Sequence, residues 1–280
     1  MTGEWFSERG EGMGQEFRVL ETLCDRRSPY QHIQIFRTRS HGRLLALDGI
    51  IQLTEADEFA YHEMLVNSAL MVHPDPANVL IIGGGDGGAV RETARHPEVR
   101  RICWCEIDAD VVACCREFLP GIACANDDPR VEAVIGDGAE YVRRHREDFD
   151  VIIVDSTDPG GAAEPLFGPD FYRDCRRAMR PGGVISAQGE SPFLLPDTVR
   201  SLRKIAGSVF RHCRYSFFHV PTYPTGAIGA CVASDHPVDR PVRPLDPALA
   251  RQLRYYTPEI HVSSMVLPAF VNRLLGEEDS

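Results

Sequence analysis

From Pro76 to about residue 190 the chain repeats one unit: an unbroken apolar run, a turn bearing glycine or acid, then a helical stretch. The units read NVLIIGGGDGGAVRETARH, RICWCEIDADVVACCREF, VEAVIGDGAEYVRRHRE and FDVIIVDSTD, followed by FYRDCRRAMRPGGVISAQ. Strands without polar alternation must be covered on both faces, so the pattern predicts a doubly wound, mostly parallel α/β sheet with helices on either side. Upstream, HIQIFRT, GRLLALDG and IIQLTE are short β-type runs broken by Ser40-His41-Gly42 and Asp48-Gly49, which predicts a small antiparallel unit between Tyr30 and Gln52. A helix should follow, opened by Thr54 or Glu55, closed by Pro74 and Pro76, with Phe59, Met64, Leu65, Ala69, Leu70 and Val72 on its apolar side. Residues 1–74 then form an N-terminal β-domain with its linking helix and 75–280 a catalytic domain, the junction lying at 72–77. The last third (RYSFFHVPTYPTGAIGACVAS) should finish the sheet with an antiparallel pair.

At 280 residues the chain has room for a substantial core. Its nine cysteines are odd in number and fit neither a disulfide framework nor a CxxC zinc pair. They read as thiols of a reducing cytosol, with no metal. The opening MTGEWFSERGEG is not a basic segment leading into an apolar run, and no apolar stretch is long enough to span a bilayer. A cytoplasmic protein without signal peptide or membrane partner is expected. With 41 acidic against 30 basic side chains, a net charge of -11 disfavours nucleic acid and suits a cationic ligand.

In Gly83-Gly84-Gly85-Asp86-Gly87-Gly88 a strand ends in glycines where a helix begins, allowing close approach of backbone to a ligand. The next strand ends in Glu106, about where an acid meets ribose hydroxyls. The third ends Gly136-Asp137-Gly138, where an acid can accept from an adenine amino group. Asp86 would set a like charge against a dinucleotide's pyrophosphate, whereas an adenosyl sulfonium carries cationic sulfur and ammonium. Asp86 also disfavours the carboxylate of intact S-adenosylmethionine relative to the decarboxylated form.

The fourth strand ends in Asp155-Ser156-Thr157-Asp158-Pro159-Gly160-Gly161, two carboxylates on a turn suited to a lid. One of them could simply cap the following turn. A primary amine is mostly protonated near neutrality and must lose a proton before it can attack. Asp155 is the candidate base, with Asp158, Tyr61 and Tyr223 holding the amine in line with the sulfonium carbon.

Tyr30-Gln31, Leu47-Asp48-Gly49, Gln52, DEFxYHEM at 57–64, GGGDGG, CEID, GDG, DSTDP and Pro221-Thr222-Tyr223-Pro224 together resemble the polyamine aminopropyltransferases, the spermidine synthase family. The likeness runs from about Trp5 to Phe270. It implies an N-terminal β-domain, a Rossmann-like catalytic domain, and transfer of aminopropyl from decarboxylated S-adenosylmethionine to putrescine, giving spermidine and 5'-methylthioadenosine. Decarboxylated S-adenosylmethionine would be a co-substrate, with no permanently bound cofactor. The resemblance carries cofactor contacts to Gln31, His62, Asp86, Glu106, Asp137 and Gly138, and amine contacts to Gln52, Tyr61, Asp158 and Tyr223. It assigns proton acceptance to Asp155 and implies a homodimer or homotetramer. One departure is in the loop after the acids: proline is absent at Ala162 and present at Pro165, so no contact is carried onto Ala162. Cadaverine, agmatine or spermidine stay open as acceptors, and the competing readings are an S-adenosylmethionine methyltransferase and a non-catalytic polyamine binder.

Without the resemblance, His62 reads as a packed helix residue, Gln31 and Gln52 as strand-edge residues and Tyr223 as a core plug. Glu190, at the end of the fifth strand, could meet the distal ammonium of an acceptor. Tyr255, Tyr256 and His261 should pack the C-terminal segment.

Overall fold

The computed structural model describes residues 4–10, 12–159 and 161–276. Met1–Gly3 and Glu11 of the opening segment, and Gly160 of the acidic turn, lie outside the described residues. Two sheets organise the chain. The first is antiparallel, in the order β1 (Trp5–Arg9), β2 (Gly14–Arg27), β3 (His32–Thr38), β4 (Arg43–Leu47), β5 (Ile50–Thr54). The three expected strands are β3 to β5, and the β4–β5 hairpin turns at Asp48 and Gly49, both at positive φ, the two-residue geometry that DG favours. Strands β1 and β2 add to the expectation: their side chains are largely exposed, so WFSER and GQEFRVLETLCDRR lack a clean alternating stripe.

The linking helix α1 (Glu58–Leu70) starts later than expected. Thr54 closes β5 and Asp57 is the cap residue, and Thr54 Oγ1 donates to Asp57 Oδ1 at 2.8 Å, so Thr54 braces the turn before the helix and does not open it. The sequence suggested one apolar side, yet every residue of α1 except Phe59 is buried. Its polar side chains therefore need partners inside the protein. Asn67 bonds Glu63 O and His96, and Glu63 accepts the backbone N–H groups of Arg254, Tyr255 and Tyr256.

The second sheet contains β6 (Asn78–Gly83), β7 (Arg101–Glu106), β8 (Val131–Ile135), β9 (Phe149–Asp155), β10 (Met179–Gln188), β11 (His212–His219) and β12 (Ala227–Ser234). They stand in the order β11-β12-β10-β9-β6-β7-β8. The five strands from β10 to β8 are parallel, and β12 runs antiparallel to both β10 and β11, the finishing pair the sequence predicted. Helices α2 (Gly88–Ala94) and α1 cover one face over Val79, Ile81, Trp104 and Ile153. Helices α4 (Gly138–Arg143), α5 (Pro169–Ala178) and α6 (Pro196–Val209) cover the other over Leu80, Ile152 and Ile185, while α3 (Ala109–Phe118) packs on β2 to β5 through Cys114, Cys115 and Val111. The short α7 (Pro247–Ala250), α8 (Pro258–Ser264) and α9 (Ala269–Leu275) end the described chain. None of the nine cysteines is joined in a disulfide, and eight of them are buried. No described helix is long and apolar enough to cross a membrane. Tyr256 and His261 are buried and bonded to each other at 3.0 Å, the packing role expected for the C-terminal segment.

Candidate active site

Strand order reverses between β6 and β9, and there the carboxyl ends of the parallel strands open a crevice. The first sheet lies over it, so a cavity of about 360 Å³ is floored by the strand ends and roofed by Leu45, Leu47, Ile50 and Gln52. Gly83 and Gly84 take φ of +79° and +65°, and the Gly84 N–H donates to the carbonyl of Asp155 at 2.7 Å. A Cβ on Gly85, in the turn between β6 and α2, would meet Val111 Cγ1 at 2.8 Å and Glu106 Oε2 at 3.1 Å, so that position has no room for a side chain.

The eleven residues given contacts or proton acceptance from the sequence all line this one cavity: Gln31, Gln52, Tyr61, His62, Asp86, Glu106, Asp137, Gly138, Asp155, Asp158 and Tyr223; Glu190 lies buried behind the lining residue Gln188. Tyr30, Gly136 and Leu166 join them. At one end, Gln31 donates to Asp108 Oδ2 at 2.9 Å, which also accepts from Ser28 at 2.6 Å; this pins the β2–β3 turn over the end of β7. Glu106 is buried, and desolvation, more than the nearby Asp108 and Asp86, raises its pKa to about 7 despite backbone N–H donors. Asp137 accepts the N–H groups of Ala139 and Glu140 at 2.8 and 3.1 Å, so Oδ1 caps α4 and only its other oxygen is free for a ligand.

In the middle, Tyr61 donates to Asp155 Oδ1 at 2.8 Å, with Gln188 Oε1 at 3.2 Å. Asp155 caps nothing: its Oδ2 is buried and has no hydrogen-bond partner. Burial first, and then the charge of Asp86, raise its pKa to about 6 even with His62 nearby. Asp86 Oδ1 accepts the Gly88 N–H at 2.7 Å and faces His62 Nε2 at 3.2 Å. The His62 imidazole bonds Glu58 through Nδ1 at 2.7 Å, and although burial opposes its charge, Asp86 and Glu58 prevail and raise its pKa well above normal. The acidic concentration read from the sequence thus already contains a cation of its own. His62, Asp86 and Asp155 offer ligand-type atoms within 4.8 Å of one another, but each ring nitrogen already faces a carboxylate, the arrangement of an ion-pair cluster.

At the other end, Gln188 donates to Glu190 Oε1 at 2.9 Å and lies 3.4 Å from Asp158. Glu190 holds a left-handed backbone, φ +62°, with its carbonyl fixed by Tyr215 at 2.6 Å and its side chain buried. Desolvation, then the charge of Asp158, push its pKa to about 8, so this acid keeps its proton near neutrality. Tyr223 does not point a free hydroxyl into the cavity: it donates to the Gln52 carbonyl at 3.0 Å and packs edge-on to Tyr61. Gln52 Nε2 in turn donates to Ile50 O. The altered loop forms a 3-10 turn, Gly161–Phe167, with Pro165 inside it; Ala162 and Ala163 contribute to the cavity wall. Sequence reasoning missed Glu58 and Gln188. The signal for Glu58 was its position four residues before His62, and for Gln188 the i,i+2 alternation that sets it beside Glu190 at a strand end.

Residues 58–241 match the Spermine/spermidine synthase domain and residues 4–55 the Spermidine synthase tetramerisation domain. A polyamine aminopropyltransferase of Clostridium kluyveri is 44% identical over 94% of this chain and 96% of its own length. A spermidine synthase of Dictyostelium discoideum is 40% identical over 97% of each. A crystal structure of spermidine synthase in complex with the transition state analogue AdoDATO superposes with a TM-score of 0.93 at 40% identity, covering 99% of this chain and 96% of that one. The spermidine synthase of Thermotoga maritima gives 0.90 at 39% identity, covering 99% and 95%.

Proposed function

The chain belongs to the spermine/spermidine synthase family of polyamine aminopropyltransferases, and we propose that it moves the aminopropyl group of decarboxylated S-adenosylmethionine to putrescine. The observation that carries this reading is the buried Asp155 Oδ2, a carboxylate oxygen without a hydrogen-bond partner in a cavity walled by acids. In this reading adenosine lies along the glycine turn, its ribose hydroxyls on Glu106 and Gln31 and its base beside Asp137 and Gly138. The sulfonium then sits by Asp86. The amine nitrogen, set against Tyr61, Gln52 and the ring of Tyr223, loses a proton to Asp155 Oδ2 and attacks the aminopropyl methylene carbon bound to sulfur. The C–N bond forms as the C–S bond breaks, and the electron pair stays on sulfur as the neutral thioether of 5'-methylthioadenosine. Spermidine leaves after the proton on Asp155 passes to water. Tyr61, by donating to Oδ1, leaves Oδ2 to take the proton. The tetramerisation-domain match supports a homotetramer.

Asp158 and Glu190 suit the far ammonium of a diamine. A cation there requires Glu190 to release its proton, so the KM for putrescine should fall by up to about tenfold per pH unit as pH rises toward 8. Steady-state kinetics between pH 6.5 and 8.5 checks this, and Glu190→Gln should flatten the dependence; a flat wild-type profile would remove Glu190 from the acceptor site. The reading as a whole is tested by incubating the protein with decarboxylated S-adenosylmethionine and putrescine, cadaverine, agmatine or spermidine in turn, following methylthioadenosine and product mass. Spermidine from putrescine is expected. Release with another amine alone would reassign the acceptor, and no release with any would discard the activity for this chain.

A further inference from the structure

Behind the cavity wall, Glu58, Arg91 and Glu92 form a chain of buried charges that backs the lining residue His62. Glu58 and Arg91 are 6% and 7% exposed and lie outside the cavity lining. Arg91 grips Glu58 with both terminal nitrogens, 2.9 Å to Oε1 and 2.7 Å to Oε2, while its Nε bonds Glu92 at 2.8 Å. Glu58 Oε2 meets His62 Nδ1 at 2.7 Å, and the opposite nitrogen of that ring meets Asp86 at 3.2 Å and approaches Asp155 Oδ2 to 4.0 Å. A neutral imidazole has one N–H, so two carboxylates on its two nitrogens are both satisfied only by the imidazolium. The ring cannot swing away either, since Gly88 packs against it so closely that a Cβ there would lie 2.3–2.5 Å from its atoms.

We propose that Glu58, anchored by Arg91, is a positioning residue that holds His62 as an imidazolium between Asp86 and Asp155 and so sets the pH range in which Asp155 can accept a proton. The proposal rests on the aminopropyl-transfer reading for its kinetic consequence only. The groups facing His62 are Glu58 and Tyr61 from α1, Asp86 from the β6–α2 turn and Asp155 from the end of β9. Those facing Asp155 are His62, Asp86, Tyr61 and, from the segment before β12, Tyr223. Removing the negative charge of Glu58 weakens the hold of His62 on its second proton. Once the ring is neutral, Asp155 loses its nearest cation while Asp86 stays beside it, and its pKa moves up.

The test is Glu58→Gln, which keeps the side chain's shape and leaves Arg91 paired with Glu92. The acid limb of kcat/KM should move up by about one pH unit, which reduces kcat/KM about twofold at pH 7 and close to tenfold at about pH 5. Nitrogen-15 spectra of labelled histidine should show both His62 nitrogens protonated in the wild type at pH 7.5 and a titrating ring in the variant. A loss of rate with an unmoved acid limb and a still-charged ring would reduce Glu58 to a scaffold residue and overturn the proposal. If the variant does not fold, the wild-type spectrum decides, because a neutral His62 at pH 7.5 refutes it outright; Arg91→Lys, which keeps a cation but loses the two-pronged grip, should then give a smaller shift in the same direction. Absence of turnover in the wild type would sink the proposed reaction, whereas the His62 spectrum would stand or fall independently.

Discussion

Asp155→Asn should lower kcat by about 10²- to 10⁴-fold while leaving the affinity for methylthioadenosine within about twofold, because only proton acceptance is lost. Asparagine has the same outline, and its carbonyl can still accept from Tyr61, so the arrangement of α1 and β9 is kept. What disappears is the basic oxygen, the unpartnered Oδ2. The wild type carries a matching signature. With its pKa raised by burial to about 6, Asp155 is ionised above that pH, and kcat/KM should drop about tenfold per unit below it. Rapid-quench measurement of single turnovers, alongside calorimetric titration with methylthioadenosine, separates chemistry from binding. A variant retaining more than about a tenth of the rate would show that water or another group takes the proton.

The second large effect is structural. Gly83→Ala should lower Tm by roughly 5–15 °C and abolish activity in whatever folds, as two costs coincide at one atom. Gly83 has φ +79°, where a Cβ is strained, and that Cβ would sit 2.1 Å from the Asp155 carbonyl oxygen. Gly83 and Asp155 are also register partners across β6 and β9, and the Gly83 carbonyl accepts from the buried Trp104 indole at 2.9 Å. The backbone therefore cannot slide aside without opening the sheet at its switch point. Differential scanning fluorimetry would read the loss, and a Tm within about 2 °C of wild type would mean the turn is more compliant than its geometry implies.

The parallel sheet was legible because its strands are apolar without interruption, a pattern that few other folds tolerate. The hairpin turns were legible because Asp48-Gly49 announces positive φ. Strands β1 and β2 were not, since one long, solvent-swept ribbon leaves Phe17, Val19 and Cys24 as isolated inward residues among charges. The start of α1 was misplaced because Thr54 resembles a cap in isolation; it is committed instead to Asp57 and to Thr222, 168 positions away, and Thr222 in turn binds Asp57 across 165 positions. The site residues follow the same division. Acids at strand ends can be read from local order, whereas the capping of α4 by Asp137 and the gripping of Glu58 by Arg91 depend on which turns face each other in space.

Glu63 gives the chain's far end a stake in the reaction. It is fully buried on α1, one residue past His62, and its carboxylate is satisfied by three successive amides, those of Arg254, Tyr255 and Tyr256. None of those three residues borders the cavity. Yet a carboxylate deprived of such donors inside a protein must either take up a proton or draw in water. The C-terminal segment therefore serves as a remote stopper for the helix that carries Tyr61 and His62: a tag, fusion or truncation that pulled it away would reach the chemistry without touching a substrate, through the loosening of a single helix.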